Sequence, residues 1–283
     1  MRVEKFTTLV LLFFLVIRHS MYYFDIGFIR TEFGFDQSFI GIFLIPVTTA
    51  FGFLLFWHSG QILVSNKRIV RFSIIFIIPF IINFVLGNSL DSIFYNHDDC
   101  ITKAPFLILI PISLSFFICL IKSRILIIML IFIFFMLNKY FIFQMASLFL
   151  LFYLLKSFLL PIIEKHAFFN FLSYLLLSLL VISNSIENVN YFHMFFLTLF
   201  FVSSIRSFSI FICKVCPISL TSILDYNTLH FYIIQGLIYN LFTNVISDIL
   251  KYILVILIFI LSLLFSRITY SLENMFFKFA KIH

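Results

Sequence analysis

The sequence predicts an all-α, polytopic membrane protein of about ten transmembrane helices, with residues 1–283 as a single transmembrane domain and both termini in the cytoplasm. Three observations carry this prediction. First, 63% of the 283 residues are hydrophobic and only 11% are charged, whereas soluble domains run near about a quarter charged. That composition excludes a water-soluble enzyme, a disordered tail and a disulfide scaffold. Second, apolar stretches recur along the whole chain between short polar breaks. Roughly 20 apolar residues cross one bilayer, so a chain of this length holds about ten spans only if its loops are short, and no room is left for a separate soluble domain. Third, lysine and arginine collect at alternate breaks. The 45 phenylalanines are read as apolar filler.

The stretches follow one another in order. The first covers 6–24 and ends at Tyr22, Tyr23 and Asp25. The second, 38–62, precedes the basic run Asn66-Lys67-Arg68-Ile69-Val70-Arg71. The third, 72–87, leads to a polar loop with Asp91, His97, Asp98 and Asp99. The fourth, 105–121, stops at Lys122 and Arg124. The fifth is short, 125–137, and breaks at Asn138-Lys139. The sixth covers 140–155 and exits through Lys156 to His166. The seventh, 167–183, is followed by a polar run from Asn184 to Asn190. The eighth, 191–205, stops at Arg206; 207–221 is also apolar, which leaves an inner re-entrant piece open there. The ninth covers 224–243. The tenth, 250–266, is followed by Arg267 and a tail, Tyr270 to Phe279, that reads as an amphipathic helix on the inner surface.

With the N-terminus inside, 14 of the 19 basic residues fall on the cytoplasmic side, four fall outside (Arg30, Lys103, Lys139, Lys251), and Arg18 lies within the first span. Eight acidic residues, Asp25, Glu32, Asp36, Asp91, Asp98, Asp99, Glu187 and Asp248, fall outside. The net charge of +7 is therefore an orientation signal and not a nucleic-acid footprint. No small-x-small exit follows the first span, so no cleaved signal peptide is expected. The four cysteines make no outer pair, and Cys213-Lys-Val-Cys216 is a lone CxxC without further ligands, so no metal centre is expected.

Polar groups inside apolar spans are costly and become the functional candidates. His19 lies in the outer half of the first span, about 20 Å from the inner face. An imidazole there can take a proton from a hydroxyl, or it can simply pack against a neighbouring helix. Arg18 is read as snorkelling outward. Trp57-His58-Ser59-Gly60-Gln61 interrupts the second span, and Ser59 and Gly60 allow close backbone approach or a kink where a ligand enters. Arg68 and Arg71 share one helix face if the third span begins there, and an arginine pair suits phosphate groups as readily as it anchors orientation. Asn227, Thr228, Tyr232 and Gln235 fall on one side of the ninth span and line either a cavity or a helix contact.

These landmarks occur in an order that resembles acyltransferase family 3, integral-membrane enzymes that acylate sugars of cell-surface glycans. The similar segments are Val10 to Ser20 with His19, then Phe56-Trp57-His58-Ser59-Gly60, then Lys67-Arg68-Ile69-Val70-Arg71 before Ile78-Pro79-Phe80. Thr228-Leu229-His230-Phe231-Tyr232-Ile233-Ile234-Gln235 and Glu273-Asn274-Met275-Phe276 complete the series. The likeness departs from the family pattern at Thr8, where many members carry arginine, and at Gln235, where many carry histidine. It implies a multi-pass protein of the bacterial cytoplasmic membrane that transfers an acyl group, most simply acetyl. The donor would be cytoplasmic acyl-CoA, with no permanently bound cofactor. The acceptor would be a hydroxyl of a glycan or its lipid-linked precursor. His19 would act as base or acyl relay, and Tyr232 and Gln235 would orient the acceptor or the thioester carbonyl. Arg68 and Arg71, with Ser59 and Gly60 beside the entry path, would serve the donor. The expected partners are acyl-CoA, the glycan acceptor and membrane lipid, with no nucleic acid. A lipid-linked glycan polymerase and a polytopic transporter or flippase remain the alternatives. Short acidic outer loops speak against the former, and the lack of an evident internal repeat speaks against the latter.

Overall fold

In a computed structural model of the chain, residues 2–24, 46–57, 65–85, 108–137, 141–183, 191–215, 228–242 and 248–280 are described. Every regular element among them is an α-helix: α1 (Arg2–Phe24), α2 (Val47–Trp57), α3 (Asn66–Val85), α4 (Leu109–Leu120), α5 (Arg124–Met136), α6 (Phe141–Lys165), α7 (Ala167–Ser183), α8 (Tyr191–Val215), α9 (Thr228–Phe242) and α10 (Asp248–Phe279). Each predicted apolar stretch carries one of these helices. Three segments, Ile142–Ile162, His193–Val215 and Lys251–Phe279, are long and apolar enough to cross a membrane. Helix is what so apolar a chain requires. In hydrocarbon no water satisfies a free N–H or C=O, and a helix closes those bonds within its own segment.

α8, α6 and α10 outrun the breaks read from the sequence. α8 passes Arg206 and continues to Val215, so residues 207–215 extend the preceding helix and are not a separate re-entrant piece. Nothing in that segment interrupts a helix. Ser203, Ser204 and Ser209 turn their hydroxyls onto carbonyls four residues back, at Leu199, Phe200 and Ile205. Likewise α6 runs through Lys156 and Pro161 to Lys165. α10 runs for 32 residues, about 48 Å at 1.5 Å per residue, and absorbs the tail expected to lie as a separate surface helix. Five of the fourteen basic residues assigned to the inner face, Lys156, Arg206, Lys214, Arg267 and Lys278, therefore lie inside these apolar helices.

The helices group into two compact units. In the unit of residues 30–204, α6 is the hub and touches α2, α4, α5 and α7. Its core is aromatic. Phe53 stacks on Phe152, with centroids 4.2 Å apart, and meets Phe149 edge-on at 6.5 Å. Gly52 is what lets α2 come so close, because a Cβ there would collide with the Phe149 ring. Phe72 of α3 stacks on Phe116 of α4 at 3.9 Å. Thr49 and Thr198 pair their hydroxyls at 2.9 Å, and Ser115 donates to the carbonyl of Ala146. The phenylalanines read as filler thus include several that define the packing. Between α4 and α5, Lys122 turns the chain with a left-handed φ of 58°, and Ser123 caps α5 by accepting from the Leu126 N–H. Ile125, Ile128, Met129, Phe132, Ile133 and Met136 leave α5 exposed, the surface a bilayer would cover.

The second unit, residues 1–29 and 205–283, contains α1, α9 and α10 in mutual contact. Leu11, Leu12, Leu15 and Val16 of α1, Phe231 and Tyr239 of α9, and Ile258 of α10 are fully buried. Phe259 takes Phe13 on one side at 5.3 Å and Phe231 on another at 5.8 Å.

Candidate functional site

The polar groups of the second unit converge where α1 meets α9. α1 is apolar from Leu9 to Ile17 and then turns polar at Arg18, His19 and Ser20. On α9, Tyr232, Gln235 and Tyr239 follow at intervals of three and four, which places them on one stripe. The two sets interlock. Gln235 Nε2 lies 3.1 Å from His19 Nδ1. The His19 ring sits between two tyrosines, edge-on to Tyr232 at 5.9 Å and to Tyr239 at 6.1 Å. Tyr239 donates its hydroxyl proton to the Val16 carbonyl at 2.6 Å. A phenol has one proton, so the 2.6 Å contact with Ser20 Oγ must run from Ser20 to the Tyr239 oxygen. Tyr239 therefore ties α9 to the turn of α1 from which His19 projects.

Gln235 is fully buried, and its Oε1 has no hydrogen-bond partner among the described residues. The amide can face His19 in two ways. With the NH₂ group toward Nδ1, the ring keeps its proton on Nε2. With Oε1 toward Nδ1, the amide accepts from Nδ1–H and the Nε2 lone pair is free. Either orientation selects one tautomer of His19, and only the second leaves a nitrogen able to take a proton or attack a carbonyl. Both leave one end of the buried amide without a partner among the described residues.

A second polar cluster joins α9 to α10. His230 places Nδ1 at 3.0 Å from Thr269 Oγ1 and Nε2 at 3.1 Å from Glu273 Oε2. The ring also meets Tyr270 edge-on at 6.1 Å. Thr269 gives its own proton to the carbonyls of Phe265 and Ser266, so at Nδ1 it accepts.

Of the other sequence candidates, Arg68 and Arg71 lie in the first two turns of α3, Arg68 exposed and Arg71 half-buried. Ser65 accepts from the Arg68 N–H and begins the helix. Both arginines belong to the unit of residues 30–204. Ser59 and Gly60, with His58 and Gln61, lie outside the described residues, as do Asn227, the Asn138-Lys139 break, Cys100 and Cys216. Arg18 is buried and does not reach outward into solvent as expected. Thr8 bonds back to the Glu4 carbonyl of its own helix.

The structure thus brings His19 of the first span together with Tyr232 and Gln235 of the ninth. It adds Tyr239 and Ser20, and the partnership of His230 with Glu273 and Thr269. Tyr239 was findable, since it continues the Tyr232–Gln235 spacing by one more turn. The His230–Glu273 pair was not, because nothing in a single sequence reports which positions of α9 and α10 share a level. The chain matches no protein-family model, no curated protein and no solved structure.

Proposed function

We propose that this protein is a membrane O-acyltransferase with ten spans and both ends in the cytoplasm of a bacterial inner membrane. It transfers an acyl group, most simply acetyl, from cytoplasmic acyl-CoA to a hydroxyl of a surface glycan or its lipid-linked precursor. The observation that carries the reading is the 3.1 Å pairing of Gln235 with His19. A histidine in a low-dielectric bundle, paired with a buried amide that selects its tautomer, has the form of a general base and its orienting partner.

In this reading Gln235 accepts from His19 Nδ1–H and acts as a positioning residue. His19 Nε2 removes the proton of the acceptor hydroxyl while the oxygen attacks the thioester carbonyl. The carbon–sulfur bond then breaks, and the leaving thiolate takes the proton back from His19. Acyl-CoA and alcohol become ester and CoA thiol, with no net proton change. Tyr232, edge-on to the ring, orients the acceptor or the carbonyl. Arg68 and Arg71 sit one turn apart at the start of a helix. There the helix N-terminus and the guanidinium forks both favour phosphate oxygens of the donor.

The test is mass spectrometry of the surface polysaccharide from cells expressing the protein or His19→Ala at equal membrane levels. Loss of the acyl increment in the variant is expected, and retained acylation removes His19 from the chemistry. The double variant Arg68→Ala/Arg71→Ala is expected to raise the acyl-CoA concentration needed for half-maximal transfer; an unchanged value refutes the phosphate contact.

A further inference from the structure

We propose that His230, Thr269 and Glu273 form a two-armed lock that sets the register of α9 and thereby places Gln235 against His19. His230 and Glu273 are positioning residues in this assignment. The physical problem they solve is specific to a membrane. In lipid there is no hydrophobic driving force to hold one apolar helix against another, because lipid tails are as apolar as the helix face. Contacts such as Phe231 on Phe259 give cohesion but discriminate poorly between neighbouring settings. Directional groups must choose among them.

His230 is built for that choice. Its two ring nitrogens engage two positions of α10 that are four residues apart, one helical turn, at 3.0 and 3.1 Å. One contact would leave α9 able to pivot. Two contacts from opposite ends of one rigid ring fix both its height along α10 and its rotation. Thr269 spends its proton on α10 carbonyls and so accepts from Nδ1–H. A proton on either His230 Nε2 or the Glu273 carboxyl then makes the second arm a hydrogen bond. His230 and Glu273 are mostly shielded, with side chains 19% and 17% exposed, so water competes weakly.

Gln235 lies five residues beyond His230 on the same short helix, about 7.5 Å along its axis. A slip of one residue would move it about 1.5 Å and turn it about 100°, which ends a 3.1 Å contact with His19. The lock on α10 therefore decides the geometry of the pair between α9 and α1.

The inference takes from the proposed function only that His19 and Gln235 are the working pair, and its test does not require acyl transfer. The full chain is prepared with ¹⁵N-labelled histidine in lipid nanodiscs, and the His19 ring signals are assigned by their loss in His19→Ala. Gln235→Leu supplies the reference spectrum of an unpaired His19. Glu273→Leu is expected to shift the His19 signals to that reference, although residue 273 does not touch His19. Glu273→Gln, whose NH₂ can donate to Nε2, is expected to restore the wild-type signals. Thr269→Val, a near-isosteric change that removes one arm, is expected to shift them part of the way and serves if Glu273→Leu fails to assemble. Wild-type His19 signals in folded Glu273→Leu or in Thr269→Val overturn the lock, and so does a Glu273→Gln spectrum identical to Gln235→Leu. If the lock holds while His19→Ala retains glycan acylation, the positioning stands and the acyltransferase reading falls.

Discussion

Replacing Gln235 with leucine keeps the bulk of a fully buried side chain and deletes its hydrogen bond to the His19 ring. If His19 works as a base, the ring becomes an imidazolium in the transition state, and the lost bond is one to a charged group. Such bonds contribute about 1.5–3 kcal/mol, equivalent to a fall of roughly 10- to 150-fold in the rate of acyl transfer. The cost to folding is smaller, because a leucine side chain carries no polar atom to bury and the Oε1 that has no partner among the described residues disappears with the amide. The assay is the initial rate of acylation in membrane vesicles per amount of folded protein. Its control is the same substitution in a His19→Ala background. Once the imidazole is gone Gln235 has nothing to orient, so the double variant is expected to be no slower than His19→Ala alone. A single variant at the wild-type rate, or a further tenfold loss in the His19→Ala background, refutes the pairing as the working unit.

Tyr239→Phe removes a fully buried hydroxyl that serves Val16 and Ser20. It is expected to lower stability by about 1–2 kcal/mol, within the range for buried and intramembrane hydrogen bonds; thermal unfolding in detergent that matches the parent would contradict the tie. Gly52→Ala places a methyl group into the Phe149 ring, which is itself buried. Overpacking of this kind costs about 1–3 kcal/mol, and an alanine that melts with the wild type would show that α2 does not approach α6 so closely. Lys122 holds a left-handed φ of 58° that costs an L-residue about 1–2 kcal/mol. Lys122→Gly is therefore expected to raise the melting temperature, and a lowered one would mean that the lysine head group matters more than the turn.

Much of the fold is legible because the bilayer leaves a chain few options. Long apolar stretches have to close their own hydrogen bonds, so each of the ten predicted stretches carries a described helix, and Ala167–Ser183 coincides with its stretch residue for residue. The ends are less legible, and Lys156, Arg206 and Arg267 show why. Each reads as punctuation in a hydropathy profile, yet none disturbs a helical backbone. Arginine and lysine are good helix formers, and their long stems carry the charge away from the axis. Lys156, for example, lies over the Tyr153 ring with its Nζ 5.0 Å from the centroid. A charge therefore marks where a helix cannot be buried in lipid without help. It does not mark where the helix stops.

The site divides along the same physical line. The residue types that do chemistry stand out because the rest of the chain is apolar, so His19, Tyr232, Gln235 and Glu273 are visible one at a time. Their pairing is invisible, because it depends on which turn of one helix lies beside which turn of another. Apolar faces that slide against lipid and against each other do not encode that choice. It resides in a small number of directional contacts between distant positions, His19 with Gln235, Ser20 with Tyr239 and His230 with Glu273, separated by 216, 219 and 43 residues. Spacing rules reach three or four residues along a helix. Tyr239 falls within that reach of Gln235, and Thr269 within that reach of Glu273. The contacts that assemble the site lie far beyond it.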